Sequence, residues 1–129
     1  MKKYEAEVRK YLKERSWDNL RPGDIAKSIS IEAAELLEHF QWTSISLEEV
    51  KKDKKKIDAI KKELADVLVY CLDMSVLLGL DTGKIVLEKL ELIKKKYPAR
   101  LFKNRDKTKD AGSEDVYWKI KKEHRMKGK

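Results

Sequence analysis

Apolar residues recur every three or four positions along most of the chain, which is the spacing of one face of an α-helix. Tyr4, Val8 and Leu12 predict a first helix that runs to about Ser16, before the turn-forming stretch DNLRPGD. No segment shows the alternation of apolar and polar residues that predicts a half-buried strand. The pattern therefore predicts an all-α protein.

The middle of the chain is predicted to hold a second helix and a long helical segment. Asp24 is suited to cap a helix that extends through Trp42. Ser46, with Glu49 three residues later, forms a capping-box sequence that starts a short lysine-rich helix. We expect this helix to be either continuous with, or kinked into, a long apolar helix that ends at Gly79.

Two more helices are predicted in the last third of the chain. Asp81 is suited to cap a helix that runs to Lys96. Residues 99–113 are mostly polar and lack periodicity, which predicts an arm or loop. Ser113 is then suited to cap a last helix that runs to about Arg125.

The most apolar run, from Leu64 to Leu80, predicts a core helix that is buried on most sides, with Cys71 packed inside it. It is interrupted by Asp66 and Asp73 and is shorter than the roughly 20 residues that a bilayer crossing needs. A single cysteine forms no internal disulfide, and the charged stretch KKYEAEVRKYLKERSW does not resemble a secretory signal. We therefore expect a cytoplasmic location.

The formal charge of +8 is concentrated at one end of the chain. Residues 94–129 hold 14 Lys or Arg against 5 Asp or Glu, whereas residues 1–93 hold 17 against 18. A basic end attracts nucleic acid, anionic lipid and phosphorylated small molecules alike. Because no nucleic-acid motif accompanies it, we predict one domain over residues 1–104 and a basic arm with a short helix over residues 105–129. Neither specific nucleic-acid binding nor membrane attachment is expected.

Acidic residues border the apolar stripe of the second helix. On a helix, Glu32, Glu35 and His39 fall within about 60° of one another. For the two glutamates alone, a solvated acidic flank is as good an explanation as a binding site, because glutamate is a strong helix former. His39 is expected to be a structural residue or to orient a carboxylate rather than to be a ligand.

The long helix carries a second acidic strip, formed by Glu63, Asp66, Tyr70 and Asp73. Unpaired ionised carboxylates on a buried helix cost several kcal/mol each, and the apolar run contains no lysine or arginine to pair with them. A divalent metal ion would satisfy them. Asp73 either extends that metal site or pairs with a basic residue of another helix.

Hard oxygen donors without cysteine favour Mg²⁺, with Mn²⁺ as a substitute, over Zn²⁺ or copper. Mg²⁺ held by a few carboxylates usually shares its remaining positions with water and substrate phosphates. The pattern therefore favours phosphoryl chemistry in which water attacks and no protein nucleophile is needed.

The motifs Glu32-Ala-Ala-Glu35 and Glu63-Leu-Ala-Asp66, separated by 27 residues, also resemble a known family. They are accompanied, in order, by ERSW at 14–17, PGDI at 22–25, FQW at 40–42 and KYP at 96–98. This series is similar to the MazG-like group of all-α nucleoside triphosphate pyrophosphatases, and within it to the dCTP pyrophosphatase-like branch. The resemblance covers roughly residues 8–104.

The resemblance implies a four-helix-bundle-type domain assembled as a dimer or tetramer, with sites between helices of neighbouring subunits. It implies Mg²⁺-dependent hydrolysis of a nucleoside triphosphate between the α and β phosphates, as nucleotide-pool house-cleaning. The implied metal ligands are Glu32, Glu35, Glu63 and Asp66, and one of the first pair is the catalytic residue that holds the attacking water. The implied substrate-binding residues are Trp42, Tyr70 and, as a further candidate, Trp17 near the base, with Lys89 and Lys96 near the phosphates.

Two departures from the branch leave the base preference open. Ile93 stands where the family commonly has an asparagine, and the segment after Trp17 lacks the branch's pocket histidine. One alternative is the same chemistry on dUTP or phosphoribosyl-ATP. Another is a non-catalytic basic helical module that binds nucleic acid or protein.

Overall fold

The computed structural model describes residues 1–103 and 115–128. Every regular element in these two ranges is helical, which confirms the all-α prediction. The helices are α1 (Lys2–Glu14), α2 (Pro22–Glu38), α3 (Leu47–Lys52), α4 (Lys54–Leu77), α5 (Thr82–Lys96) and α6 (Asp115–Met126), with a 3₁₀ turn at Ala99–Leu101. Within the described ranges, none of these helices has the length and apolar character that a membrane crossing requires.

The start of α2 differs from the sequence prediction. Pro22 occupies the first turn, where its missing N–H costs nothing, and Arg21 precedes it without a side-chain capping bond. Asp24 lies inside the first turn and accepts a hydrogen bond from Arg21 Nε at 2.8 Å, so the prediction that Asp24 caps the helix is wrong. The helix also ends at Glu38, four residues before Trp42.

The predicted capping box at the start of α3 is confirmed. Ser46 Oγ accepts a hydrogen bond from the backbone N–H of Glu49, and the Glu49 side chain accepts one from the backbone N–H of Ser46. Asp53 then interrupts the helical path and caps α4 by accepting a hydrogen bond from the backbone N–H of Lys56 at 3.0 Å. The lysine-rich helix is thus kinked into the long helix rather than continuous with it.

The chain separates into two compact units, Met1–Gly83 and Lys84–Lys129. In the first unit, α1 and α2 both pack against α4. Its buried apolar cluster joins Val8 and Leu12 of α1 to Val76 of α4. The boundary predicted at residue 104 and the predicted cap at Ser113 fall in residues 104–114, outside the described residues.

Much of α4 is exposed, contrary to the prediction that this helix is buried on most sides. Leu64 and Leu68 are 45% and 53% exposed, and Cys71 is exposed rather than packed inside. Among the described helices, only α1, α2 and the short α3 pack extensively on α4. The described residues of a single copy therefore leave leucines of α4 exposed to water.

A buried polar network fixes the junction between α4 and α5 to α1. The backbone N–H of Thr82 donates to Glu5 Oε1 at 2.7 Å, and Thr82 Oγ1 lies 2.6 Å from Ser75 Oγ. Glu5 is only 5% exposed, and hydrogen bonds from the side chain and the backbone N–H of Thr82 lower the pKa of its carboxyl below the ordinary value of 4.5. Lys2 adds a contact to Glu5 at 3.7 Å. The amino-terminal helix thus provides the anion that satisfies the start of α5.

The variant Glu5→Gln is expected to lower the midpoint of thermal unfolding at pH 7 by about 5 °C, because it removes a charge-assisted hydrogen bond. Folding lowers the pKa of Glu5, so its ionised form stabilises the protein above the unfolded-state pKa, and this contribution is lost as the pH falls through the folded-state pKa. The difference between wild type and Glu5→Gln should therefore shrink as the pH falls below 4.5. Thermal unfolding followed by circular dichroism at several pH values measures this difference in midpoint between the two proteins.

The exposed neighbour Glu7 gives the matched control, since Glu7→Gln removes the same charge from the same helix. An equal loss of stability in the two variants, or a difference that does not depend on pH, would contradict the role assigned to Glu5.

Candidate functional site

The packing of α2 on α4 brings carboxylates of both helices together. Glu32 of α2 and Glu63 and Asp66 of α4 each offer one oxygen, and these oxygens lie within 4.8 Å of one another. Glu63 and Asp66 are three residues apart, so they project from the same face of α4. Three of the four predicted metal ligands therefore converge, one from the first motif and two from the second.

Glu35, the fourth predicted ligand, lies beside this cluster. Its pKa is raised above the ordinary value of 4.5, first by its hydrogen bond with Glu32 and that residue's negative charge, and then by the charge of Glu63. Like charges this close cannot all remain ionised without a compensating cation. The two motifs thus form one acidic site rather than two separate acidic patches.

His39 lies next to the acidic site, and Lys56 contacts His39. His39 Nε2 lies 3.5 Å from Glu63 Oε1, and the Lys56 ammonium donates a hydrogen bond to the His39 backbone carbonyl. The imidazole therefore contacts a carboxylate that the sequence predicts to be a metal ligand, and it lies where it can orient that carboxylate.

The donor set fits a hard divalent cation. All four side chains provide carboxylate oxygens, and within the described residues no lysine or arginine forms an ion pair with any of them. The only basic side chain within 4.0 Å of these carboxylates among the described residues is His39, at Glu63. A divalent ion held by Glu32, Glu63 and Asp66 would relieve the repulsion that these side chains now share with Glu35.

A cavity of about 380 Å³ adjoins the acidic site. Asp66 lines it, so one residue belongs to both the acidic site and the cavity. Trp17 and Tyr70, both predicted to contact a base, lie in its wall. The ring of Trp17 makes an edge-to-face contact with that of Tyr11, with 5.8 Å between ring centroids. The backbone N–H of Trp17 also donates a hydrogen bond to the Leu12 carbonyl at 2.8 Å.

Asp73 also lines this cavity, two turns of α4 beyond Asp66. It is only 3% exposed, its Oδ1 has no hydrogen-bond partner, and burial raises the pKa of its carboxyl. Neither alternative from the sequence is realised in the described structure: Asp73 is not among the converging carboxylates, and no basic residue pairs with it.

Trp42 is placed differently from the other predicted aromatic residues. It lies in the loop after α2 with a φ of 68°, which is uncommon for a residue other than glycine, and its side chain is 94% exposed. It does not line the cavity that holds Trp17 and Tyr70. Its assignment to the base therefore stays a prediction.

The second unit carries its own basic cavity, of about 510 Å³. Lys89 and Lys96, predicted to lie near the phosphates, line it together with Ile93 and His124. The ring of Tyr97, which also lines it, stacks on Tyr117 of α6 with 5.2 Å between ring centroids and 14° between ring planes. The two lysines are thus brought together around one cavity.

Some residues of the first cavity could not have been selected from the sequence. Ser28 and Tyr11 line it, and neither belongs to a motif that marks it in the sequence. Asp24 lines it too, but its carboxylate pairs with Arg21 and Lys27. Asp73, in contrast, was marked in the sequence as a polar residue inside the most apolar run.

Comparison with known proteins agrees with these features. A family model described as the MazG-like family matches residues 27–110. The structure is similar to the crystal structure of a pyrophosphatase from Archaeoglobus fulgidus, with a TM-score of 0.63 and 37% sequence identity, over 72% of this chain and 87% of that chain. No curated protein matches the sequence significantly. The chain belongs to the MazG-like family.

Proposed function

We propose that the protein, a nucleotide pyrophosphohydrolase, uses Mg²⁺ to cleave a deoxynucleoside triphosphate of the dCTP type into the monophosphate and pyrophosphate. The observation that carries this proposal is the convergence of carboxylates from α2 and α4 beside a cavity with aromatic walls. A cytoplasmic role in nucleotide-pool house-cleaning, and a catalytic domain that reaches residue 104 before a basic arm, belong to the same proposal.

Glu32, Glu63 and Asp66 are the residues that would hold the metal ion. When bound, Mg²⁺ or Mn²⁺ neutralises phosphate oxygens and so makes the phosphorus easier to attack. His39 Nε2 lies 3.5 Å from Glu63 Oε1, where it can orient that carboxylate. Because the two helices are packed together, the carboxylates are fixed before the substrate arrives.

Glu35 is the proposed base for the attacking water. It lies beside the three converging carboxylates without being one of them, which leaves an oxygen to accept a proton. As water adds to the α phosphorus, its proton passes to Glu35 and the bond from that phosphorus to the bridging oxygen breaks. Pyrophosphate leaves with the electron pair, and the nucleoside monophosphate remains.

The aromatic wall of the first cavity is the proposed position of the base. Trp17 and Tyr70 offer ring faces for stacking, and Trp42 is proposed to join them from a neighbouring subunit, since its side chain is 94% exposed in a single copy. Lys89 and Lys96 would balance phosphate charge.

The identity of the products tests which phosphate bond is cleaved. With Mg²⁺ present, the purified protein is expected to release pyrophosphate and a monophosphate from a panel of nucleotides, and with EDTA the release should cease. Coupled assays for pyrophosphate and for orthophosphate read the two products separately. Direct release of orthophosphate would contradict cleavage between the α and β phosphates.

The acidic site is tested by removing its charges one at a time. Glu63→Gln or Asp66→Asn should reduce kcat/KM by more than about a hundredfold, because each removes a ligand from a cation that supplies several kcal/mol of transition-state stabilisation. The far-ultraviolet circular dichroism spectrum should be unchanged.

Asp58 supplies the control, since Asp58→Asn removes the same charge from an exposed position on the same helix. Full activity in Glu63→Gln, or an equal loss in Asp58→Asn, would exclude the acidic site as the place of reaction.

Self-association into a dimer or tetramer is the third part of the proposal. Ile57, Leu64 and Leu68 form an apolar surface along α4, and each of them is at least 38% exposed in a single copy. Moving one leucine side chain out of water stabilises an assembly by roughly 1.5–3 kcal/mol. A second copy of this chain, which carries the same surface, is its proposed partner.

The double variant Leu64→Glu and Leu68→Glu should dissociate the assembly, because it replaces apolar contacts with buried charge. Multi-angle light scattering is expected to give a multiple of 15.2 kDa for the wild type and a mass near 15.2 kDa for the variant. Leu47→Glu, at an exposed position of α3 outside this surface, should leave the mass unchanged. A monomeric wild type would refute the proposed assembly.

A further inference from the structure

Asp73 is a buried acid that the proposed reaction does not use. It is 3% exposed, its Oδ1 has no partner within the described residues, and it lines the same cavity as Trp17 and Tyr70. A buried oxygen without a hydrogen bond destabilises the folded protein by the cost of its desolvation. Such a group persists most readily where a ligand supplies the missing donor.

The position of Asp73 relative to the acidic site points to the kind of ligand. Asp66 belongs to both the acidic site and this cavity, and Asp73 lies seven residues further along α4. A nucleotide with its phosphates at the acidic site therefore places its base among Trp17, Tyr70 and Asp73. The aromatic rings offer faces to the base, whereas Asp73 offers a polar group to its edge.

The charge of the cavity restricts which base edge fits. No lysine or arginine is among the residues that line it. Of the two other acids on its wall, Asp66 belongs to the acidic site and Asp24 is already paired with Arg21 and Lys27. A carboxyl oxygen accepts hydrogen bonds, so it requires an N–H donor on the base. Cytosine presents an exocyclic amino group at position 4, whereas uracil presents a carbonyl oxygen there.

We propose that Asp73 determines base specificity: its Oδ1 accepts a hydrogen bond from the exocyclic amino group of the nucleobase, which selects cytosine over uracil. This inference rests on the proposed function, because it places a nucleotide base in the cavity. A uracil base would set its position-4 oxygen against the Asp73 oxygen and leave both without a donor. Burial raises the pKa of Asp73 in the free protein, whereas a hydrogen bond donated by the amino group favours the ionised form, which only accepts and therefore selects against uracil.

The first test compares dCTP with dUTP, which differ only in the groups on that base edge. Wild type should prefer dCTP in kcat/KM by at least about tenfold, and Asp73→Asn should reduce this ratio by at least about tenfold, since an amide both donates and accepts. The control Asp58→Asn should leave the ratio unchanged. An unchanged ratio in Asp73→Asn, or no preference for dCTP in wild type, would overturn the assignment.

A second test needs no variant and therefore does not depend on whether Asp73→Asn folds. The 2-pyrimidinone deoxynucleoside triphosphate lacks any group at position 4, and wild type should use it at least about tenfold less well than dCTP. Equal use of the two nucleotides would exclude a role for the amino group.

A third measurement separates this inference from the proposed function. Binding of the α,β-imido analogues of dCTP and dUTP, followed calorimetrically with Mg²⁺, does not require turnover. If no nucleotide is hydrolysed but the dCTP analogue binds more tightly and Asp73→Asn abolishes that difference, the reaction assignment fails and the role of Asp73 stands. If hydrolysis occurs and Asp73→Asn changes neither turnover nor binding ratios, the role of Asp73 fails and the reaction stands.

The stability of Asp73→Asn distinguishes a ligand-binding residue from a structural one. Because burial disfavours the ionised carboxyl, the neutral amide should raise the midpoint of thermal unfolding at pH 7. A lower midpoint would mean that Asp73 supports the fold, and would count against its assignment as a residue kept for the base.

Discussion

Repulsion among carboxylates at the contact between α2 and α4 is the constraint around which the first unit is built. The side chains of Glu32, Glu35, Glu63 and Asp66 repel one another when ionised, and the packing of α2 on α4 holds them close together. Burial of Ile25 of α2 contributes to that packing. A separate apolar cluster of Val8, Leu12 and Val76 joins α1 to the other end of α4.

This arrangement places polar and apolar groups in unusual positions. Some of the most deeply buried residues of the first unit are polar, including Glu5, Asp73 and Thr82, while leucines of α4 are exposed. Buried polar groups specify one geometry and contribute little net stability. Exposed leucines favour association, which would add the apolar burial that a single copy lacks. A chain with a small core can therefore still hold its site residues in fixed positions if its subunits assemble.

Local sequence patterns predicted most of the helices and the carboxylates that converge between α2 and α4. The capping box at Ser46 and the paired acidic motifs were recognisable because their chemistry depends on spacings of three residues along one helix. The start of α2 was not recognised, because Pro22 and Asp24 both favour a helix start and the local sequence does not show which of them begins the helix. The burial of α4 was overestimated, because a sequence pattern reveals which faces are apolar and not what covers them. The cavity was beyond reach for a related reason: Tyr11, Ser28 and Asp73 meet only through the packing of three helices.

The hydrogen bond from Thr82 to Glu5 joins residues that are 77 positions apart, nearly the full length of the first unit. Contacts of that separation carry the largest loop-closure entropy, and they usually form after the local helices and the hairpin between α2 and α4. We therefore expect the contact between the two ends of the unit to form late in folding and to break early in unfolding. Changes at Glu5 or Thr82 should then alter chiefly the rate of unfolding, so the lifetime of the folded unit depends on residues that are far along the sequence from the acidic site.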